Sequence, residues 1–86
     1  MKVVLKCFAD LADPETCDFK DGTAYDMEDG QTVEQLVQKA GMNRDDVAIV
    51  FLNSRVASLD TVLSESDRVA LTPATAALKK PSVFQH

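Results

Sequence analysis

Apolar and polar residues alternate in three segments, residues 2–9, 23–28 and 68–72. This period is typical of a β-strand that buries one face. The first segment also carries apolar side chains on its second face, which indicates a central position or a contact role for that face. Phe8 lies on that second face, and core packing is the alternative interpretation of it. The second segment is expected to pair antiparallel with the first, with its odd-numbered side chains directed inward.

One apolar stripe recurs with the spacing of an α-helix, at positions i, i+3, i+4 and i+7. Its members are Val33, Leu36, Val37 and Ala40. Thr32 and Gln35 can form a capping box ahead of the stripe, and Gly41 follows as a stop signal. The sequence therefore predicts a helix over residues 33–40.

Residues 47–52 form an unbroken run of β-branched, aliphatic and aromatic residues. The run predicts a strand that is buried on both sides or central in the sheet. A tight turn at residues 53–54 and a short return strand at residues 55–56 are expected to follow. One helix covers one face of a four- or five-stranded sheet, which makes the fold class α+β. The other face becomes a contact surface if it carries Val4, Phe8, Val50 or Leu52.

The connecting segments carry turn residues. Residues 10–22 include Pro14 and five acids and are predicted to form a loop, with a small hairpin around Asp21–Gly22 as the less favoured alternative. Residues 65–67 are predicted to form a turn before the last strand. Ahead of this turn, three apolar residues are expected to pack beneath the sheet: Leu59, Val62 and Leu63.

The length of 86 residues predicts one domain, and 45% hydrophobic residues argue against a disordered chain. No apolar run is long enough to span a membrane, and the start of the chain lacks the pattern of a signal peptide. A cytoplasmic location is the resulting expectation, with no membrane partner.

The formal net charge of −5 is distributed unevenly, with eight acids and one base between Asp10 and Asp29. Nucleic-acid binding requires a basic face, and the sequence pattern indicates none. The acidic stretch is best interpreted as a solvated loop. The alternative is an acidic patch that docks on a basic partner.

Cys7 and Cys17 are the two cysteines, and the single histidine is His86. They do not have the spacing of a metal site, so we predict no metal and no cofactor. The thiols are expected to be structural or incidental, and a redox switch across the first loop is the alternative. The sequence also lacks a nucleophile–base pair, so it does not predict an enzyme or any catalytic residue.

Four motifs follow one another along the chain: Phe-Ala-Asp-Leu at residues 8–11, Gly-Gln-Thr-Val at residues 30–33, Leu-Asn-Ser at residues 52–54, and the Asp-to-Pro segment of residues 60–73. In this order they resemble the small sulfur carriers, namely the small subunit of molybdopterin synthase (MoaD) and the thiamine-pathway carrier (ThiS). The resemblance spans residues 2–77. It implies a β-grasp, or ubiquitin-like, fold with a four- to five-stranded mixed sheet packed on one main helix. The domain would cover residues 1–77, and residues 78–86 would form a flexible tail or, alternatively, a docking peptide.

The sequence departs from this family where the carriers have their functional terminus. The carriers end in Gly-Gly, whose carboxylate is adenylated and becomes a thiocarboxylate, whereas Ala76 and Ala77 stand here and nine residues follow. The resemblance implies a tail that threads a narrow channel, and glycine permits the closest backbone approach there. Ser66 also replaces the glycine of the family's Asp-Gly-Asp turn.

The sequence therefore predicts a non-catalytic MoaD/ThiS-like interaction module linked to molybdopterin or thiamine type sulfur-transfer machinery. Its partner would be an adenylating enzyme or a cofactor-synthesis enzyme of the carrier pathway. The alternative is an active sulfur carrier that forms a thiocarboxylate after processing near Ala77. The candidate docking residues are Phe8, Leu71, Pro73, Ala74 and Thr75.

Overall fold

The computed structural model describes residues 1–74 of the chain. Its strands and helix are β1 (Lys2–Cys7), β2 (Thr23–Asp26), α1 (Val33–Lys39), β3 (Val47–Leu52), β4 (Arg55–Ala57) and β5 (Arg68–Pro73). Short 3₁₀ turns precede β2 and β3, at Ala9–Leu11 and Arg44–Asp46. The predicted domain boundary at residue 77 and the tail of residues 78–86 lie outside the described residues.

The five strands form one mixed sheet in the order β2-β1-β5-β3-β4. β1 and β5 run parallel at its centre, with Leu5 opposite Val69, and the other three pairs are antiparallel. This order, with one α-helix on one side, confirms the predicted α+β class and the β-grasp arrangement. The antiparallel pairing of β1 with β2 is also confirmed.

The core lies between the sheet and α1. Strand residues Val3, Leu5, Val69 and Leu71 are buried together with the whole predicted helical stripe. The capping box is present: the Thr32 N–H donates to Gln35 Oε1 over 2.8 Å, and the Gln35 N–H donates to Thr32 Oγ1 over 3.4 Å. The helix therefore begins where its sequence signals place it.

The end of one strand and the burial of another differ from the prediction. β1 ends at Cys7, because Ala9 has φ 52° and starts a 3₁₀ turn. β3 lies in the interior of the sheet, between β5 and β4, which is one of the two predicted alternatives, but it is not buried on both sides, since Ile49 is 41% exposed. Val50 and Leu52 pair with Leu71 and Val69 and share their inner face, so neither belongs to the open side.

The apolar residues before β5 divide between the core and the surface. Leu63 is 3% exposed, as expected, and Leu59 is half-buried against the core. Val62 is 55% exposed, so its predicted packing beneath the sheet is wrong. The chain is extended here and forms a β-bridge between Val62 and Thr32, and neighbouring side chains of an extended chain point to opposite sides.

Cys7 and Cys17 are joined by a disulfide, with 5.4 Å between their Cα atoms, and both are fully buried. The sequence predicts structural or incidental thiols and offers a bond across the first loop only as the redox alternative, because the loop must fold back on β1 before the two residues meet. No helix of the described part is long and apolar enough to cross a membrane.

Candidate docking face

The outer face is the side of the sheet opposite α1. The inward residues of β1 and β5 are buried under the helix, so the alternate residues of these strands point outward. The register then places Phe51 beside Ala70 and Val56 beside Phe51 on the same side. The outer face consists of Lys2, Val4, Lys6, Phe8, Ala24, Asp26, Ile49, Phe51, Val56, Arg68, Ala70 and Thr72.

An open depression of about 430 Å³ lies on the outer face, over strands β1, β5 and β3. Aromatic rings from Phe8 and Phe51 contribute to it, and Ser54 joins it from the β3–β4 turn. Its full lining is Val4, Lys6, Phe8, Phe51, Ser54, Arg68, Val69 and Ala70. The depression therefore combines an apolar surface with two basic side chains.

Exposed apolar side chains are concentrated on this side. Within residues 1–74, four large apolar residues are exposed: Phe19, Ile49, Val56 and Val62. Ile49 and Val56 lie on the outer face, and Phe19 contacts Phe8 at its margin. Such a concentration of exposed apolar area is typical of an interaction surface.

The charge of the outer face is opposite in sign to that of the whole chain. Lys2, Lys6 and Arg68 lie on it with one acid, Asp26, whereas the chain carries a net charge of −5. The ion pair recorded in the described part, Arg44 with Glu34, does not involve these basic side chains. Charge of one sign around an apolar patch selects partners of the opposite sign.

A hydrogen-bond network holds the rim of the depression. The Asn53 side-chain amide donates to Asp67 Oδ1 over 2.9 Å, and the Arg68 N–H donates to Asn53 Oδ1 over 2.9 Å. Asp67 is buried and also accepts from the Ser64 N–H over 2.7 Å. The β3–β4 turn is thus tied to the start of β5, which positions the Ser54 and Arg68 side chains on the rim.

The predicted docking residues do not all reach the outer face. Phe8 does, and its N–H donates to the Leu71 carbonyl over 3.0 Å. Leu71 itself is fully buried in the core, so its side chain is not available to a partner. Pro73 and Ala74 are half-buried at the end of β5. Three further predicted positions lie outside the described residues: Thr75, Ala76 and Ala77.

Several residues of the outer face are not among the predicted docking residues. Lys6 and Arg68 could have been found, because each alternates with buried apolar neighbours in its strand. Phe51 could not, because the unbroken apolar run of residues 47–52 does not show which side chains point outward, and Val56 could not, because its three-residue strand is too short to show an alternation. The register of β3 with β5 supplies that information, by placing Phe51 opposite Ala70.

Within residues 1–74, no group of His, Cys, Asp and Glu side chains is arranged to hold a metal ion. Burial, and secondarily the charge of Asp13, raises the pKa of Tyr25. The Tyr25 hydroxyl donates to the Thr16 carbonyl over 2.5 Å, so it has a structural role in anchoring the loop before β2.

Residues 12–76 match the model of the ThiS family. None of the curated proteins matches this sequence. The fold is similar to SAMP1 from Haloferax volcanii, with 24% identity and a TM-score of 0.64 over 88% of this chain and 98% of that one. It is also similar to a Pyrococcus furiosus protein described as molybdopterin converting factor, subunit 1, with 22% identity and a TM-score of 0.65 over 85% and 97% of the two chains.

Proposed function

Since the chain belongs to the ThiS family, we propose that it is a protein-docking member whose outer face binds an adenylating enzyme of the sulfur-carrier type. In this proposal the chain does not itself carry sulfur at Ala77. Binding and positioning of the partner are its whole contribution, and the chemistry belongs to the partner.

The observation that carries the proposal is the depression on the outer face. It joins the Phe8 and Phe51 rings to the Lys6 and Arg68 side chains on one side of a rigid sheet. Aromatic and arginine side chains are enriched at the centre of protein interfaces, where a few residues provide most of the binding energy. A sheet also holds such side chains at fixed spacing before the partner arrives, which lowers the entropic cost of binding.

The charge of the face specifies the partner's chemistry. Lys6 and Arg68 flank the apolar centre, so a complementary surface has an apolar patch bordered by carboxylates. Lys2 lies further along β1, with Asp26 opposite it on β2. The acidic loop of residues 10–22 lies at the other end of this strand, where matching carboxylates would be repelled. This asymmetry favours one orientation of the partner on the face.

The residues that stand at the carrier terminus support a docking role without sulfur transfer. The resemblance to the carriers places Ala76 and Ala77 where those proteins have Gly-Gly. Each alanine adds a methyl group and narrows the backbone conformations available to a tail that must pass close to other backbone. Loading of Ala77 inside a channel that fits glycine is therefore expected to be poor.

Calorimetric titration with the purified adenylating enzyme of the same organism tests the proposal. We expect Phe51→Ala to weaken binding at least about tenfold, the effect of losing a buried interface aromatic. Val62→Ala is the control, because Val62 is an exposed apolar residue that lies beside Thr32, the residue before α1, away from the outer face. Thermal melting of both variants establishes that they are folded. Absence of wild-type binding, or equal effects of the two substitutions, contradicts the proposal.

Membership of a carrier family favours one second candidate, an active sulfur carrier produced by processing near Ala77. Intact mass of the protein from its native host separates the two. A chain that ends at Ala77 with sulfur in place of one oxygen establishes the carrier. A chain that extends past Ala77 without added sulfur supports docking alone.

A further inference from the structure

The loop between β1 and β2, residues 8–22, is tied to the sheet by a covalent bond. Cys17 is joined to Cys7, the last residue of β1, and both side chains are fully buried. The backbone of Cys17 also exchanges two hydrogen bonds with Asp13, at 2.8 and 3.0 Å. The loop therefore turns back on itself and returns to the end of β1.

Further contacts fix the second half of this loop. The Asp18 N–H donates to Thr23 Oγ1 over 3.0 Å, and the Tyr25 hydroxyl donates to the Thr16 carbonyl. Gly22, with φ 78°, lies so close to Val4 that an added Cβ would be 2.4 Å from a Val4 methyl carbon. Residues 16–22 are thus held against the sheet margin at both ends.

The anchored segment places Phe19 against Phe8. The ring centroids are 5.5 Å apart and the planes are inclined at 74°, an edge-to-face contact. Phe8 lines the depression, and Phe19 remains 52% exposed beyond it. The apolar surface consequently continues from the strands, across Phe8, onto the loop.

We propose that the docking face extends onto Phe19 and that the Cys7–Cys17 disulfide is the tether that holds Phe19 in place for the partner. This inference rests on the proposed function and takes the same occupant, an adenylating enzyme with an apolar patch bordered by carboxylates. An apolar side chain of that enzyme seats across Phe8 and Phe19, while its carboxylates face Lys6 and Arg68.

The tether matters because an untethered loop has to be ordered when the partner binds. When a flexible loop is ordered on binding, the loss of side-chain and backbone entropy weakens the affinity. A loop that is already held in its bound position avoids that entropic cost. The contribution of the Phe19 side chain to the binding affinity should therefore depend on the disulfide. This dependence distinguishes a tether for docking from a bond that only stabilises the fold.

The test is a double-mutant cycle, with affinity for the purified adenylating enzyme measured by calorimetry. The variants are Phe19→Ala, the double variant Cys7→Ala/Cys17→Ala, and the triple combination. We expect Phe19→Ala and the cysteine-free variant each to weaken binding about five- to tenfold. In the cysteine-free protein, Phe19→Ala should weaken binding by less than about twofold, because the ring is no longer held. Lys20→Ala, at the adjacent exposed position, is the matched control and should leave affinity unchanged.

A partner-free measurement accompanies the cycle. The nuclear Overhauser effect between the Phe8 and Phe19 rings should be present in the native protein and absent without the disulfide. If the cysteine-free protein does not fold, the wild-type protein with its disulfide chemically reduced replaces it, since both cysteines then remain in the core. Persistence of the ring contact in the cysteine-free or reduced protein overturns the tether.

The outcomes of the two proposals are distinguishable. Binding that depends on Phe51 but not on Phe19 leaves the proposed function standing and overturns this inference. Equal effects of Phe19→Ala with and without the disulfide overturn the coupling. If the wild-type protein does not bind the adenylating enzyme, the proposed function is wrong, and this inference is wrong as well.

Discussion

Ser66 shows how a single residue departs from the sequence pattern that otherwise predicts the fold. It lies in the turn before β5 with φ 68°, in the left-handed region, and its N–H donates to the Lys2 carbonyl over 2.8 Å. The resemblance places glycine at this position, and the observed φ gives the physical reason. A side chain with a Cβ adopts this conformation at a cost of about 1–2 kcal/mol.

We expect Ser66→Gly to raise the free energy of unfolding by about 0.5–1 kcal/mol, because relief of the left-handed conformation exceeds the extra freedom that glycine brings to the unfolded chain. The shift of the urea unfolding midpoint measures this change in the free energy of unfolding. Ser64→Gly is the control, since Ser64 precedes the same turn without a positive φ, and it should destabilise. A midpoint lowered by Ser66→Gly would count against this explanation.

The burial of single side chains was predictable where apolar and polar residues alternate, and it was not predictable where they do not. Val69 lies on the buried face that the alternation predicts, because polar or small residues flank it. Leu71 shares that face, so the prediction that it contacts a partner is wrong. Val62 follows no such alternation, and only its bridge to Thr32 shows that it points away from the core. Whether a side chain points toward the core or toward solvent can thus be predicted from its neighbours only in a strand whose apolar and polar residues alternate.

At the scale of elements, the loop of residues 8–22 depends on β2 for one of its anchors. Tyr25 supplies it through the hydrogen bond from its hydroxyl to the Thr16 carbonyl. Burial, with a smaller contribution from Asp13, raises the Tyr25 pKa above its ordinary value of 10.0. The folded protein therefore holds the phenolic proton more tightly than the unfolded chain does.

This difference predicts how stability depends on alkaline pH. The stabilisation from Tyr25 is fully present below pH 10 and is lost as pH rises through the higher pKa of the folded state, because the unfolded chain loses its proton first. Tyr25 is the only tyrosine and the chain has no tryptophan, so near-ultraviolet phenolate absorbance reports this group alone. Tyr25→Phe should remove this part of the pH dependence. A native titration at or below the ordinary pKa would contradict the prediction.

The elements themselves were predictable to different degrees. α1 was predicted within one residue, because its stripe and its capping box give independent local signals. β3 was predicted as a strand, but its open side was not, because partner strands set exposure along an unbroken apolar run. The disulfide was also beyond local reasoning, since it depends on the loop's return to the end of β1.

At the scale of the whole molecule, charge is separated between the sheet and the loops. The outer face carries Lys2, Lys6 and Arg68, while the chain as a whole has a net charge of −5. The candidate face was only partly predictable for this reason: each charge can be read from the sequence, but their convergence depends on the parallel pairing of β1 with β5. The register brings Arg68 opposite Val4, between Lys2 and Lys6.

This separation predicts that docking is steered by charge, with an association rate that falls as salt is added. Raising the ionic strength from about 0.01 to about 1 M shortens the screening length from about 30 to about 3 Å. The association rate with the adenylating enzyme should fall about tenfold or more over this range, as measured by stopped-flow mixing. Lys6→Glu and Arg68→Glu should each slow association at low salt and flatten its salt dependence.

Lys20→Glu is the control that separates local charge from net charge. It changes the net charge by the same amount but lies in the acidic loop, so local steering predicts little effect on association. If all three substitutions slow association equally, the net charge of the chain governs the encounter. In that case the basic patch of the outer face has no special role in selecting its partner. If Lys6→Glu and Arg68→Glu slow association and Lys20→Glu does not, the partner is steered to the outer face by the basic side chains that β1 and β5 bring together.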